Sequence, residues 1–426
     1  MLRLALSLTL LLVGCGARTT LDDGRADAAA PPPPPPPPTD ASTPPPPPPP
    51  PPDASPVPLD AGVPTSCEEF LVTGSVVVHE AMSGAFDAPA VVWRAGGLDL
   101  GAMHRPRADD DAQRPRGIRA RLREDTIEVT GRVREGGGTG GVARFGALGE
   151  LFGGCRVEDG GATFHRWRGE DYAFVGMPSP LGGTRCHGVA GDGDRWAVLH
   201  EQSSPRSPVP VVTFFEPEGP ATGGVVLDAM REARPLTLAA TDEGVAVATA
   251  PDADGAIAIT RFIDGRRQST VQHEGFERFG EVPPGIAPWP GPGPSGELAL
   301  AHYQTSELVL LRVGARGEEH SRTPLTFSMH GDIQPAVASA PWGVVVGVQS
   351  FGDADPTNGV VEVLLVTPDG DAIGEVTLAE AARGDDLRIG GIAAASTDDG
   401  TIVLHWTENR PRDGGGRTLA ASIACR

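Results

Sequence analysis

Acidic residues spaced two apart recur in short, glycine-bearing stretches. They are Asp192-Gly193-Asp194, Asp252-Ala253-Asp254-Gly255, Asp369-Gly370-Asp371, and Asp353-Ala354-Asp355 followed by Asn358-Gly359. Oxygen ligands at alternate positions suit Ca2+, a hard cation that collects carboxylate and amide oxygens. Asp353, Asp355 and Asn358 form the best calcium candidate, and Ca2+ is the one cofactor the sequence offers. No stretch completes an EF-hand loop or a glycine-rich nonapeptide repeat. Asp and Gly are also the residues that tight turns require, and the acidic stretches as a group read as turns.

Other chemistry is sparse. His-Glu occurs at His79, His200 and His273 without the second His of a zinc-protease motif, so these read as polar residues at strand ends. There is no Gly-x-Ser-x-Gly elbow, and the glycine-rich Gly136–Gly141 lacks the lysine of a phosphate loop. His200 and His302 end two second strands in matching positions, whereas His405 falls one residue earlier in its repeat and by period two should face the other way. They read as rim residues, not as a metal ring. In Pro288–Pro294, Trp289 stands between prolines. A rigid, exposed aromatic there could bind a sugar or a peptide, and a packed loop is the alternative. No set of residues composes a catalytic centre.

The elements that must position these residues are bounded by composition. The chain has 426 residues, a formal net charge of −21 and no lysine. Nucleic-acid binding needs a basic surface, so nucleic acid is excluded as a partner. The arginine-only basic set reads as a coding bias, with arginine-mediated recognition as the alternative.

Arg3 precedes an apolar run, Leu4 to Val13, too short to span a bilayer and right for a signal sequence. It ends in Leu12-Val13-Gly14-Cys15. This resembles the lipobox of bacterial lipoproteins. The resemblance implies a signal peptide over 1–14, cleavage after Gly14, and acylation of Cys15. It also implies an exported protein held to a membrane by lipid. Gly16 at the second mature position implies the outer membrane or cell surface. Residues 15–66 read as a lipidated linker: the proline blocks 31–38 and 44–52 forbid helix and sheet and favour polyproline II. At about 3.1 Å per residue, Pro31–Pro52 would reach roughly 65–70 Å.

From Cys67 to the C-terminus the pattern is short period-two strands punctuated by Gly, Pro and Asp. In Gln334–Gln349 a strand, a turn at Pro341-Trp342-Gly343 and a second strand, Val344–Val348, read as one hairpin. Similar first strands open near Pro89, Gly141, Cys186, Pro235, Pro284, Pro335 and Gly391, a step of roughly 50 residues. Second strands follow at Trp196–His200, Val245–Thr249, Leu298–His302 and Ile402–Trp406. The expectation is an all-β fold, a seven-bladed β-propeller over 67–426, with six or eight blades as alternatives. Outer strands such as Gly117–Glu124 and Thr126–Val133 alternate. Ile118, Ala120, Leu122, Ile127 and Val129 are assigned to a buried face, and Arg119, Arg121 and Arg123 to a wet one, where they can pair with Glu128. Leu378–Arg383 could form a turn or two of helix.

The last repeat supplies three strands, and Glu69–Glu80 is a spare one. It is expected to close the ring as the outermost strand of the last blade. Cys67 would then face Cys425, and a disulfide there would fasten the ring. Cys155 and Cys186 would form the second bridge. Without a reaction in view, the reading is a surface-tethered module that binds a protein or a glycan of the cell envelope, more a binder than an enzyme. A propeller enzyme acting on envelope or extracellular glycans is the alternative. The Ser-x-Asp-x-Gly-x-Thr-Trp repeat of sialidases is absent.

Overall fold

A computed structural model describes residues 66–425 except 68, 95, 107–113, 124–125, 133–143, 159–160, 169–172, 204–207, 228–235, 277–281, 291–295, 305–306, 326–333, 353–354, 381–386 and 411–413. Contacts divide the chain into residues 1–59 and 60–426, and every described residue lies in the second unit. No helix among the described residues is long and apolar enough to cross a membrane.

Among the described residues, thirty strands form seven antiparallel sheets, the blades of a β-propeller. Blade 1 runs through Ala85–Arg94, Gly97–Arg105, Arg114–Arg123 and Thr126–Arg132. Blades 2 to 7 open with Arg144–Leu148, Gly183–Asp192, Leu236–Thr241, Gly285–Pro288, Ala336–Ala340 and Arg388–Ser396. Each opening strand lies at the inner end of its sheet and packs beside the opening strands of its neighbours, round to blade 1. Glycine lets them converge. A Cβ at Gly146 would sit 2.4 Å from the carbonyl oxygen of Val189, and one at Gly285 2.2 Å from that of Pro335.

The second strands are buried from end to end, as in Gly244–Thr249, Leu298–Tyr303 and Ile402–Arg410 up to Asn409. Both of their faces are covered by neighbouring blades, which explains continuous apolar runs in place of alternation. The same stacking corrects the expected wet face of blade 1. Arg119 is buried and donates to Asp99 at 2.7 Å, while Arg121 remains exposed and stands opposite Glu128 in the register. Val129, expected inside, is 40% exposed, because the outermost strand has no further strand to pack under. The expected helical turn is also corrected. Leu378 to Glu380 end the outer strand Ala372–Glu380 of blade 6.

The ring closes as expected, in two pieces. Phe70–Val72 and Val76–Ala81 both pair antiparallel with the terminal strand Gly415–Cys425 of blade 7. Between them, the Thr73 amide donates to the Ser422 carbonyl at 3.0 Å. Phe70 is the register partner of Cys425, and Cys67 and Cys425 are bridged with Cα atoms 5.4 Å apart. Cys155 of blade 2 is bridged to Cys186 of blade 3, with Cα atoms 6.0 Å apart. Two disulfides suit an exported protein in an oxidising compartment.

Every seam between blades carries a polar staple. Arg94 donates to the Glu150 carbonyl (blades 1 and 2), Arg166 to those of Glu216 and Gly219 (2 and 3), and Arg195 to that of Asp264 (3 and 4). Arg261 donates to the carbonyls of Gly296 and Gly314 (4 and 5). Trp289 donates to Pro368 (5 and 6) and Trp342 to Gly400 (6 and 7). At the closing seam the Asn409 amide accepts from the Phe86 N–H at 2.7 Å and donates to the Phe86 carbonyl at 2.8 Å. A guanidinium or an amide has the reach and the donors to satisfy turn carbonyls that a blade cannot satisfy by itself.

Candidate functional site

A cavity of about 1160 Å³ lies at the ring centre. It is walled by the ends of the seven opening strands, at the face where each turns into its second strand. Each opening strand pairs on one side only, so the N–H and C=O groups of its other edge have no strand partner. The walls are apolar: Val91, Ala147, Ala190, Ala239, Ala338 and Ala394 line the cavity beside the larger Phe145, Leu238 and Ile286. Among the described residues, the charged side chains in the lining are two carboxylates, Asp242 in a turn of blade 4 and Asp369 in a turn of blade 6. Ser66 and Cys67 also border the cavity, which places the first described residues of the chain at this mouth.

Trp289 lines the cavity but is 7% exposed. Its indole N–H donates to Pro368 at 3.1 Å, and the Arg312 guanidinium stands 5.0 Å from its ring centroid. The loop after it, 291–294, falls outside the described residues. Behind Trp289 is a polar chain that sequence reasoning missed. Buried Glu297 accepts from Arg312 at 2.8 Å and stands 3.1 Å from Nδ1 of His320, whose Nε2 is 3.3 Å from Glu318. The Glu318 carboxyl is held below its ordinary range, first by the backbone N–H of its own residue. No motif could have revealed this set, because Glu297 stands just before the strand Leu298–Tyr303, His320 stands in Glu319–Leu325, and the two meet only through the blade.

Of the calcium candidates, Asp353 lies outside the described residues. Asp355 and Asn358 stand in the strand Asp355–Val366, with their side chains undescribed. The other acidic stretches are turns. Asp252 accepts from the amides of Asp254 and Ala256, each at 2.9 Å, and buried Asp192 accepts from the Gly265 amide at 2.9 Å. Burial raises the Asp192 pKa. The histidines expected at the rim are instead inside. His200, His302 and His405 are at most 2% exposed, because the strands that carry them are covered on both faces. His200 bonds to Thr213 at 2.8 Å, and His405 holds the Ala90 carbonyl of blade 1 at 3.0 Å. Gly136–Gly141 and Cys15 lie outside the described residues.

No family model matches the chain, and no curated protein matches it. Among solved structures it is similar to a WD40 domain from Toxoplasma gondii coronin, with TM-score 0.49 and 11% identity over 84% of this chain and 88% of that one. It is also similar to a protein of unknown function from Dyadobacter fermentans, with TM-score 0.44 and 10% identity over 84% of this chain and 99% of that one. A subtype N10 neuraminidase-like protein of A/little yellow-shouldered bat/Guatemala/060/2010 aligns with TM-score 0.44 and 9% identity, over 84% of this chain and 99% of that one. Scores and identities this low carry no argument about function.

Proposed function

We propose that this chain is an exported bacterial lipoprotein, acylated at Cys15, whose propeller is a non-catalytic module binding a protein or glycan of the cell envelope at the mouth of the central cavity. The observation that carries the reading is the chemistry of that cavity. Apolar walls and strand edges offer shape and hydrogen bonds, and the charged groups of its lining, Asp242 and Asp369, stand in turns of different blades. Recognition needs a concave apolar site with a few placed polar groups, which this cavity supplies. The proline blocks between Cys15 and the propeller would hold the mouth clear of the lipid.

The test uses the full chain on glycan and peptide arrays, followed by titration of any binder. Ala240 is exposed in the lining, so Ala240→Trp narrows the mouth without touching the core. A binder of this site should lose at least ~10-fold in affinity, the equivalent of about 1.4 kcal/mol. Asp369→Ala should change the affinity of charged binders only. Binders indifferent to both variants, or turnover of a glycan by the wild-type chain, would overturn the reading. Cys15→Ser should move the protein from the membrane to the soluble fraction. Retention on the membrane would end the lipid-anchor proposal.

A further inference from the structure

The outer rim of a propeller is a circle of sheet edges, and an edge invites pairing with any extended chain unless charge, proline or shortness protects it. Six of the seven blades carry such protection. The outer strand Thr126–Arg132 has Glu128 and Arg132, Arg266–His273 has Arg266 and Arg267, and Glu319–Leu325 has Glu319, Arg322 and Pro324. Ala372–Glu380 has Glu375 and Glu380, and the closing strand Val76–Ala81 has His79 and Glu80. Blade 2 ends in two-residue strands, Ala173–Phe174 and Ser179–Pro180. Blade 3 is the exception. Its outer strand, Ala221–Val226, reads Ala-Thr-Gly-Gly-Val-Val, with neither charge nor proline, and five of its six residues are exposed.

Its free hydrogen-bonding groups can be assigned. The Leu227 amide donates to the Pro210 carbonyl at 3.0 Å, which makes Leu227 and Pro210 a bonded pair of the antiparallel ladder. Bonded and non-bonded pairs alternate. Val225 with Val212 and Gly223 with Phe214 are therefore bonded, whereas Val226 and Gly224 turn their N–H and C=O groups outward. That gives two donors and two acceptors along one edge. Nothing lies within 4 Å of where a Gly223 Cβ would be, so a bulky cross-strand neighbour has room above Gly223. The strand is entered through a firm turn, since Arg166 holds the carbonyls of Glu216 and Gly219.

We infer that Ala221–Val226 is a docking edge for an extended polypeptide segment of a partner, one rich in β-branched residues and carrying net positive charge. The segment adds as a fifth strand to blade 3, with its main chain bonded to Gly224 and Val226 and a branched side chain lying over Gly223. Charge decides the occupant. The turn before the strand presents Glu216, with Glu218 paired to Arg168, and the whole chain carries −21, so a basic segment is attracted and a second copy of the chain is repelled. This edge lies on the outer rim, away from the central cavity, and the inference does not rest on the cavity being a binding site.

The experiment uses the full chain and a synthetic peptide, acetylated and amidated, of alternating threonine and valine with one arginine at each end. Hydrogen exchange is read at single residues as the peptide is titrated. The amides of Gly224 and Val226 should slow by at least ~10-fold at saturation, and those of Gly223 and Val225, already paired, should change little. Gly223→Lys places a charge in open space and should weaken binding at least ~10-fold with unchanged thermal stability. A peptide with glutamate at both ends should bind more weakly than the arginine peptide. Unchanged exchange at millimolar peptide, protection elsewhere on the molecule, equal binding by Gly223→Lys, or equal binding of the glutamate peptide would each overturn the inference. Self-association in the ultracentrifuge that Gly223→Lys abolishes would also overturn it, by making a second copy the occupant.

Discussion

Arg261 has most of its surface withdrawn from water, and desolvation lowers its pKa against the raising fields of Glu243, Glu318 and Glu297. Its one planar group reaches two turns of the next blade at once, the carbonyls of Gly296 and Gly314. A lysine has a single head and cannot span both. Arg261→Lys should therefore leave one buried carbonyl unpaired and cost about 1–3 kcal/mol in denaturant unfolding. An unchanged midpoint would show that the fork contributes nothing. His405 is a buried base kept neutral. Burial drives its pKa down to about 4, the bond to Ala90 opposes that, and His79 adds to it. The unfolded chain, near the ordinary 6.5, binds the proton more readily, so stability is complete above pH 6.5 and falls as the pH drops from 6.5 towards 4. Below about 4 this contribution no longer changes, and its full size is on the order of 3 kcal/mol. His200, also brought to about 4 by burial, adds to the same window. His405→Gln should flatten the dependence of melting temperature on pH between 4 and 6.5. A slope equal to wild type would remove His405 as a source of acid lability.

At the scale of the element, the hairpin unit was the most legible part of the chain. Ala336–Ala340, the turn at Pro341-Trp342 and the strand from Gly343 stand where the apolar runs and turn residues put them. The spare strand and its partner were legible by counting, since three strands in the last repeat leave an edge that something must cover. Misreadings arose where alternation was taken to mean one wet face. In a radial array both faces of a blade meet another blade, so Arg119, His200 and His405 are inside, and period two cannot distinguish solvent from a neighbouring sheet. The seam staples were not legible either. Asn409 and Phe86 are 323 residues apart and meet only once the ring has closed. Of the candidate site, the apolar opening strands foretold the walls of the cavity. Asp242 and Asp369 reach its mouth from turns whose direction depends on blade geometry, not on composition.

At the scale of the molecule, the propeller is a closed ring made from an open chain, and its cohesion depends on what prevents blade 7 from parting from the strands that complete it. Two devices act there. The terminal strand Gly415–Cys425 is paired along most of its length with Phe70–Val72 and Val76–Ala81, and a disulfide joins residues 358 apart in sequence. In the chain-entropy account, closing a loop of that length removes roughly 5–6 kcal/mol of unfolded-state freedom, against roughly 3–4 for the 31-residue separation of Cys155 and Cys186. The two bridges differ in position as well as in size. Cys155 and Cys186 are both fixed by their own sheets and by the Arg166 staple between blades 2 and 3, so losing their bridge leaves that seam held by other bonds. The strand nearest Cys67, Phe70–Val72, is three residues long. The Cys67→Ser/Cys425→Ser double variant should therefore lose more stability than Cys155→Ser/Cys186→Ser in equilibrium unfolding. Its first sign should be faster amide exchange in Phe70–Val72 and Gly415–Cys425, with blades 3 to 5 unchanged. If the two double variants unfold at the same denaturant midpoint, or if exchange rises evenly round the ring, closure is not the weak point and the seven seam staples hold the disc without the help of sulfur.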